Sequence, residues 1–493
     1  MLDFLKAEAT AYTENGAVAH ATSGSDCLDF FATVGALRHA SDDEIILRFM
    51  RAFCENREYA VKLLFFARDI RGGLGERRVF RVILKWLAET APEAVEKNLP
   101  HIAEFGRFDD LLALMDTRCE KSAVAFLKAA LDADLAASRK GEAVSLLAKW
   151  LPSVNTSNTD AVRYAKKLSR AFGMTDAAYR KALSRLRADI RILENHLRQK
   201  DYTFDYEKQP SRAMLKYRKA FVRNDGERYQ GFLEAVSCGK AKLHTQNVMP
   251  YELIDPYLES TWGGELKIKN VTPEEQNTLN VTWEQLPDYR GEGNILAIVD
   301  TSGSMYFDAK PLPASVAFSL GMYLAEHNTG YFKNHFIEFS ARPQLLEIKG
   351  ETFFERLRYL TTFNEIANTN LEAVFDLILK TAVKHRVPES ELPEKLVILS
   401  DMEFDAAVSK RDRTVFDAAK AAYEEAGYRL PEIVFWNVAS RNRHQPVRMH
   451  ESGVALVSGV TPKLFELVAR GIVDPYLFMM EIIESERYRA ITV

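Results

Sequence analysis

The chain has 493 residues, 47% of them hydrophobic and 27% charged, with a formal net charge of -4. These proportions are those of an ordinary globular protein and exclude disordered, collagen-like and disulfide-scaffold classes, while a single core rarely grows beyond roughly 250 to 300 residues, so two or three domains are expected. The four cysteines, Cys27, Cys54, Cys119 and Cys238, lack paired zinc spacing; no run approaches the ~20 apolar residues of a membrane span, and the start of the chain lacks a targeting pattern, so a cytoplasmic protein with no membrane partner is expected.

The first forty residues are weakly patterned, with turn signals at Asn15-Gly16 and Ser23-Gly24-Ser25. From Ser41 onward helix dominates. Ser41 followed by Glu44 reads as a capping box, and Ile45, Ile46, Phe49, Met50 and Phe53 recur behind it at helical spacing. Further amphipathic stretches occupy 59–68, 77–89, 92–105, 108–115 and 121–137. Short Gly, Pro or Asp punctuation separates them, which suggests stacked antiparallel helices of the α-solenoid kind, although no strict sequence period marks a repeat.

Between two of these helices, residues 68–78 place Gly72, Gly73 and Gly75 among Arg68, Arg71, Arg77 and Arg78. Glycines permit close backbone approach, as a phosphate-binding loop requires, but no Gly-Lys-Ser/Thr follows. The reading adopted is an interhelix connector whose arginines make ion pairs.

A second helical block runs from Lys149 to about Gly239, and its charge differs from that of the whole. Residues 161–242 hold 20 Lys plus Arg against 9 Asp plus Glu, a local excess of 11 positive charges in an acidic protein. Arg163, Lys166, Lys167 and Arg170 share one helix face, and Arg180, Arg187 and Arg191 share another. Tyr164, Tyr179, Tyr202, Tyr206 and Tyr217 are interleaved and are candidates to stack on unpaired bases. The alternative is a solvated basic face with no ligand. Residues 243–293, rich in Pro and Gly with little periodicity, are expected to connect the domains while packing on both.

From residue 294 strands and helices alternate. Asn294 to Val299 reads as a strand buried on both faces, ending at Asp300, and residues 395–400 repeat that pattern and end at Asp401. Strands are also expected at 331–339, 344–348, 432–438 and 454–458, with helices at 313–327, 352–360, 371–384, 412–427 and 463–470. Strands joined by helices pair in parallel with right-handed crossovers, so an α/β doubly wound, Rossmann-like domain over 294–493 is expected. Its two terminal aspartates then reach one edge crevice, where ligands of open α/β sheets collect. Asp300, Ser302 and Ser304 offer hard oxygen donors at alternate positions, which suits Mg2+ or Mn2+.

Asp300-Thr301-Ser302-Gly303-Ser304 resembles the Asp-x-Ser-x-Ser signature of von Willebrand factor A domains. The resemblance extends to Thr369, before the helix 371–384, and to Asp401; Thr361 and Thr362 are weaker competitors for Thr369. It implies a metal-ion-dependent adhesion site ligated by Ser302, Ser304 and Thr369, with Asp300 and Asp401 acting through water and one position open to a partner's carboxylate. The layout of a helical amino-terminal half before such a domain is similar to the Ro autoantigen and its TROVE-domain relatives, and more so to a poorly characterised family related to them. The stretches that carry this are 68–78, 105–112, 148–153 and 179–194. The resemblance implies an all-α, HEAT-like ring or arc over 1–242 and, in the Ro group, binding of small noncoding and misfolded RNA.

The expected function is therefore an RNA-binding ribonucleoprotein scaffold with a Mg2+-dependent docking site; the alternative is a metal-dependent adaptor for an acidic protein partner, with no nucleic-acid role. No catalytic residues and no enzyme activity are expected, because no nucleophile, base and orienter fall together. His327 and His335 are the histidines nearest the motif among the predicted elements, and His335 reads as a core or edge residue.

Overall fold

A computed structural model describes residues 9–190, 192–260, 266–289, 293–306, 310–339, 342–363, 370–405, 414–469 and 474–493. The chain forms two compact units that interleave in sequence. One gathers 1–41, 50–55 and 210–485; the other gathers 42–49, 56–209 and 486–493. The boundaries read from sequence at 242 and 293 both fall inside the first unit.

The first unit holds three sheets. An antiparallel hairpin pairs β1, Thr10–Tyr12, with β2, Val18–His20, and a second small pair joins β3, Leu258–Ser260, to β4, Leu266–Ile268. The main sheet contains β5, Ile295–Asp300, β6, His335–Phe339, β7, Gln344–Glu347, β8, Lys395–Ser400, β9, Glu432–Asn437, and β10, Val454–Ser458. Their order is β10-β9-β8-β5-β6-β7, with every pairing parallel except β6 with β7. Every residue of β5 and β8 is buried, which explains their unbroken apolar runs. No helix separates β6 from β7, so that pair closes as an antiparallel edge, and Gln344, Leu345 and Glu347 face outward.

Helix Pro313–His327 is buried from Pro313 through Ala325. A Cβ at Gly321 would stand 2.4 Å from Val299 Cγ2, so glycine lets this helix approach β5. From β5 the chain passes to β6 on one side and later returns to β8 on the other. The order thus reverses between β5 and β8, and the crevice of such sheets opens at their carboxyl ends.

Two parts of this unit were not legible in the sequence. The hairpin β1–β2 and helix Asp26–Val34 lie in the weakly patterned start, where three-residue strands are too short to show a period. Residues 243–293 hold helix Pro273–Glu284, begun by Thr272, whose hydroxyl accepts from Glu275 N, and by Pro273 in its first turn. Trp283 of that helix stacks on Phe353 at 4.4 Å between ring centroids, so this part of the segment packs into the core of the first unit.

The second unit is helical: Arg57–Arg68, Arg77–Thr90, Pro92–Lys97, Leu99–Phe105, Glu120–Lys140, Thr159–Ala171, Asp176–Asp189 and shorter turns. The single helix expected over 92–105 breaks at buried Asn98, whose Nδ2 donates to Ala94 O at 2.7 Å and to Thr492 O at 2.5 Å. The stretch expected at 108–115 is a 3-10 helix, Phe108–Leu114. Tyr488 completes this core, 6.1 Å from Phe66 and 5.6 Å from Phe105 between ring centroids. No helix among the described residues is long and apolar enough to cross a membrane.

Candidate metal centre

The parallel register sets Val299 opposite Leu399, which places Asp300 at the end of β5 beside Ser400 at the end of β8. Ser400 Oγ donates to Asp300 Oδ2 at 2.5 Å, and the backbone N–H of Ser302 donates to Asp300 Oδ1 at 2.8 Å. That turn runs into a 3-10 segment, Gly303–Tyr306, which brings Ser302 Oγ and Ser304 Oγ to 3.1 Å from each other. Thr301, between them, turns the other way and donates to buried Glu338 of β6. The Ser304 hydroxyl also bonds the Asp401 carboxylate, so four of the five expected ligands converge. The fifth, Thr369, lies outside the described residues. Its competitors Thr361 and Thr362 donate to Arg358 O at 2.9 Å and Tyr359 O at 2.7 Å, which engages them at a helix end.

Asp401 is held by a turn in which Met402 has φ +68°, a conformation that costs free energy in a residue with a branched or bulky side chain and is often found where function fixes the backbone. Burial pushes the Asp300 carboxyl well above the usual carboxylate range, and the nearby Asp401 charge adds to the shift against hydrogen bonds from Ser400 and Ser302. Asp401 is raised too, by burial, with Arg441 opposing. Two neighbouring buried carboxylates with two converging hydroxyls form an all-oxygen donor set. Mg2+ or Mn2+ fits such a set on charge and hardness. No group of three or more His, Cys, Asp or Glu among the described residues is arranged to hold a metal.

Sequence reasoning missed the outer ring. Arg441 Nη2 donates to Asp401 Oδ2 at 2.8 Å, and its Nη1 lies 2.8 Å from Glu14 Oε2 in the turn between β1 and β2. Glu403, 1% exposed at its side chain, accepts from Glu14 N at 2.7 Å and Asn442 Nδ2 at 2.8 Å. His444 Nε2 is 3.2 Å from Met402 O and 3.8 Å from Glu403 Oε2. These groups come from distant segments, so only the folded chain shows them together. His327 is bonded to Tyr323 O at 2.8 Å and His335 to Lys333 O at 2.7 Å.

The expected nucleic-acid residues divide into three groups. Lys166, Arg170 and Arg180 are exposed and have no acidic partner among the described residues. Arg163 lies 3.3 Å from Asp116 Oδ2, and Lys167 Nζ lies 2.5 Å from both Asp116 Oδ1 and Glu120 Oε2, so each is already paired at the surface. Arg187 is half-buried and engaged: it donates to Ala148 O at 2.7 Å, Ser153 Oγ at 2.7 Å and Leu151 O at 2.8 Å, and so buttresses the chain. Arg191 lies outside the described residues. Tyr179 and Tyr206 are buried and unavailable for stacking, whereas Tyr164, Tyr202 and Tyr217 are partly exposed. In the glycine-arginine connector, Arg68 pairs with Asp110 at 2.7 Å, Arg78 pairs with Asp42 at 2.5 Å and Arg71 donates to Glu104 O, so these three arginines are engaged structurally.

The fold is thus a helical amino-terminal half joined to a carboxyl-terminal mixed sheet, with a buried carboxylate pair at the sheet's switch point. Residues 13–128 and 123–293 match the model of a domain of unknown function, DUF2828, and the chain belongs to that family. Residues 294–474 match a second domain of unknown function, DUF7788. An uncharacterised protein of Acanthamoeba polyphaga mimivirus is 27% identical over 524 aligned positions, covering 97% of this chain and 89% of that protein. The fold is similar to the crystal structure of the Deinococcus radiodurans Ro (RSR) protein, with a TM-score of 0.52 and 15% identity over 91% of this chain and 99% of that one.

Proposed function

We propose that this protein is an RNA-binding scaffold of the Ro type whose sheet edge carries a von Willebrand A-type site for Mg2+ or Mn2+. The docking half of this reading rests on one observation: Asp300 and Asp401 are buried side by side, at the switch point, with Ser302 and Ser304 converging on them. Ser302 and Ser304 would hold the ion directly and the aspartates through water, and a hydroxyl-rich shell leaves the ion net positive and able to attract an acidic partner. That charge argues for binding rather than hydrolysis, whose metals usually carry several direct carboxylates.

The RNA half is supported by the likeness to the Ro fold and by exposed Lys166, Arg170 and Arg180. Sequencing nucleic acid that co-purifies with wild type and with a Lys166→Glu, Arg170→Glu, Arg180→Glu variant tests it. Bound RNA should fall sharply in the variant. On single strands, the slope of log affinity against log salt should flatten by about 0.7 for each phosphate the variant no longer neutralises. Equal yield and equal slope would remove these residues from the proposal, and absence of RNA binding by wild type at low salt would leave the acidic-partner adaptor as the reading.

A further inference from the structure

The turn between β1 and β2 is locked onto the loop that follows β8. Thr13 Oγ1 donates to Phe404 O at 2.5 Å, Asn15 Nδ2 to Glu403 O at 2.6 Å and Glu14 N to Glu403 Oε2 at 2.7 Å. Bridges pair Gly16 with Asp405 and His20 with Gln445. One guanidinium ties this turn to the carboxylate pair: Arg441 holds Glu14 Oε2 with Nη1 and Asp401 Oδ2 with Nη2, each at 2.8 Å. Asp401 is almost fully buried while Arg441 is one-third exposed, so the arginine reaches in from the surface.

We propose that Arg441 is a tethered cation that competes with the divalent ion for Asp401, and that the Glu14 turn is the site's resident occupant. This rests on the metal-site reading above. A guanidinium in contact with Asp401 supplies the positive charge the buried pair lacks. A divalent ion at the same carboxylates makes that charge superfluous and repels it, since like charges a few ångströms apart in a partly buried site are poorly screened. The ion and the bridge therefore exclude each other, and loading the site loosens Arg441 and with it Glu14. An incoming acidic group would then meet an ion whose own hairpin carboxylate has been released, so metal loading and exposure of the docking face occur together.

Mn2+ binding to the full chain, read by electron paramagnetic resonance, and hydrogen exchange of residues 10–20 test this. Arg441→Met keeps the side-chain length and removes the charge, and should tighten Mn2+ binding on the order of tenfold. Glu14→Gln, at an exposed position, should tighten it less, because the arginine keeps its charge and loses only the Glu14 anchor. In wild type, saturating Mn2+ should speed exchange across 10–20; in Arg441→Met that segment should exchange fast with or without the ion. Unchanged or weaker Mn2+ binding in both variants, or hairpin exchange indifferent to Mn2+, overturns the proposal. Asp300→Asn separates it from the reading beneath: if wild type binds Mn2+ and Asp300→Asn does not, the metal site stands whatever the Arg441 result, whereas no binding by wild type sinks both.

Discussion

Asp300 is the side chain whose replacement says most. Buried and beside Asp401, its carboxyl is held well above the usual carboxylate range by desolvation and by the Asp401 charge. Asp300→Asn keeps its shape and removes that conflict, so without divalent ions the variant should be more stable than wild type at pH 8, by about 1 to 3 kcal/mol for shifts of this kind. The sign follows from the direction: a carboxyl raised above its unfolded value loses stability as pH rises, so the gain should shrink toward pH 4. Thermal melts in chelator across that range measure it. Adding Mg2+ should stabilise wild type and leave the variant unchanged. Replacing Asp110 should cost stability instead. It receives Arg68 at 2.7 Å and Arg81 at 2.6 Å, with Arg68 only 2% exposed, so Asp110→Asn strands a buried cation. A loss of about 3 to 5 kcal/mol is expected in denaturant titrations of the helical unit.

Among the elements, the glycine-arginine connector shows how much was readable. Arg68 and Arg78 were recognisable as ion-pair formers from type and density, whereas Arg71 donates to a backbone carbonyl. Their partners were not, because Asp42, Glu104 and Asp110 lie tens of residues away. Its glycines have a similar cause: a Cβ at Gly73 would stand 2.1 Å from Phe66 O, so Gly73→Ala should cost several kcal/mol or shift the loop. Next to it, burial works to raise Asp69, but Arg487 Nε and Nη2 at 2.8 and 2.9 Å and the N–H groups of Arg71 and Gly72 outweigh it and hold the carboxyl below its usual range. Asp109 is likewise depressed, its burial outweighed by Arg107 and Arg81. Depressed carboxyls contribute stability that is present above the ordinary value near ~3.9 and lost as pH falls below it. Arg487→Met should therefore destabilise by about 3 kcal/mol at pH 7, and its gap from wild type should close as pH drops under ~4, followed by circular dichroism.

The buried strand ending in Asp300 and the one followed by Asp401 were legible because a strand covered on both faces must be apolar along its length, so the first acidic residue marks its end. Arg441 and Glu14 were not, since neither belongs to a periodic element and their meeting depends on a hairpin of three-residue strands. Arg187 misled for a related reason. Helical spacing assigns a side to a residue but not what packs there, and Ala148, Leu151 and Ser153 cover that side.

At the scale of the molecule, the two units cross the sequence several times, and neither is a continuous stretch. Deleting 486–493 should uncover Phe66 and Phe105 and leave Asp69 without Arg487, lowering the transition of the helical unit while the sheet unit keeps its own. Two separate calorimetric peaks, only one of them moved, would bear this out; a common shift would show that the units melt as one. Interleaving also constrains inheritance. The two family models meet between residues 293 and 294, yet a gene cut and rejoined there would split the first unit and separate the second from its closing residues. A single crossover cannot hand either unit to another gene intact, so the helical part and the sheet can be expected to have travelled through evolution as one heritable block.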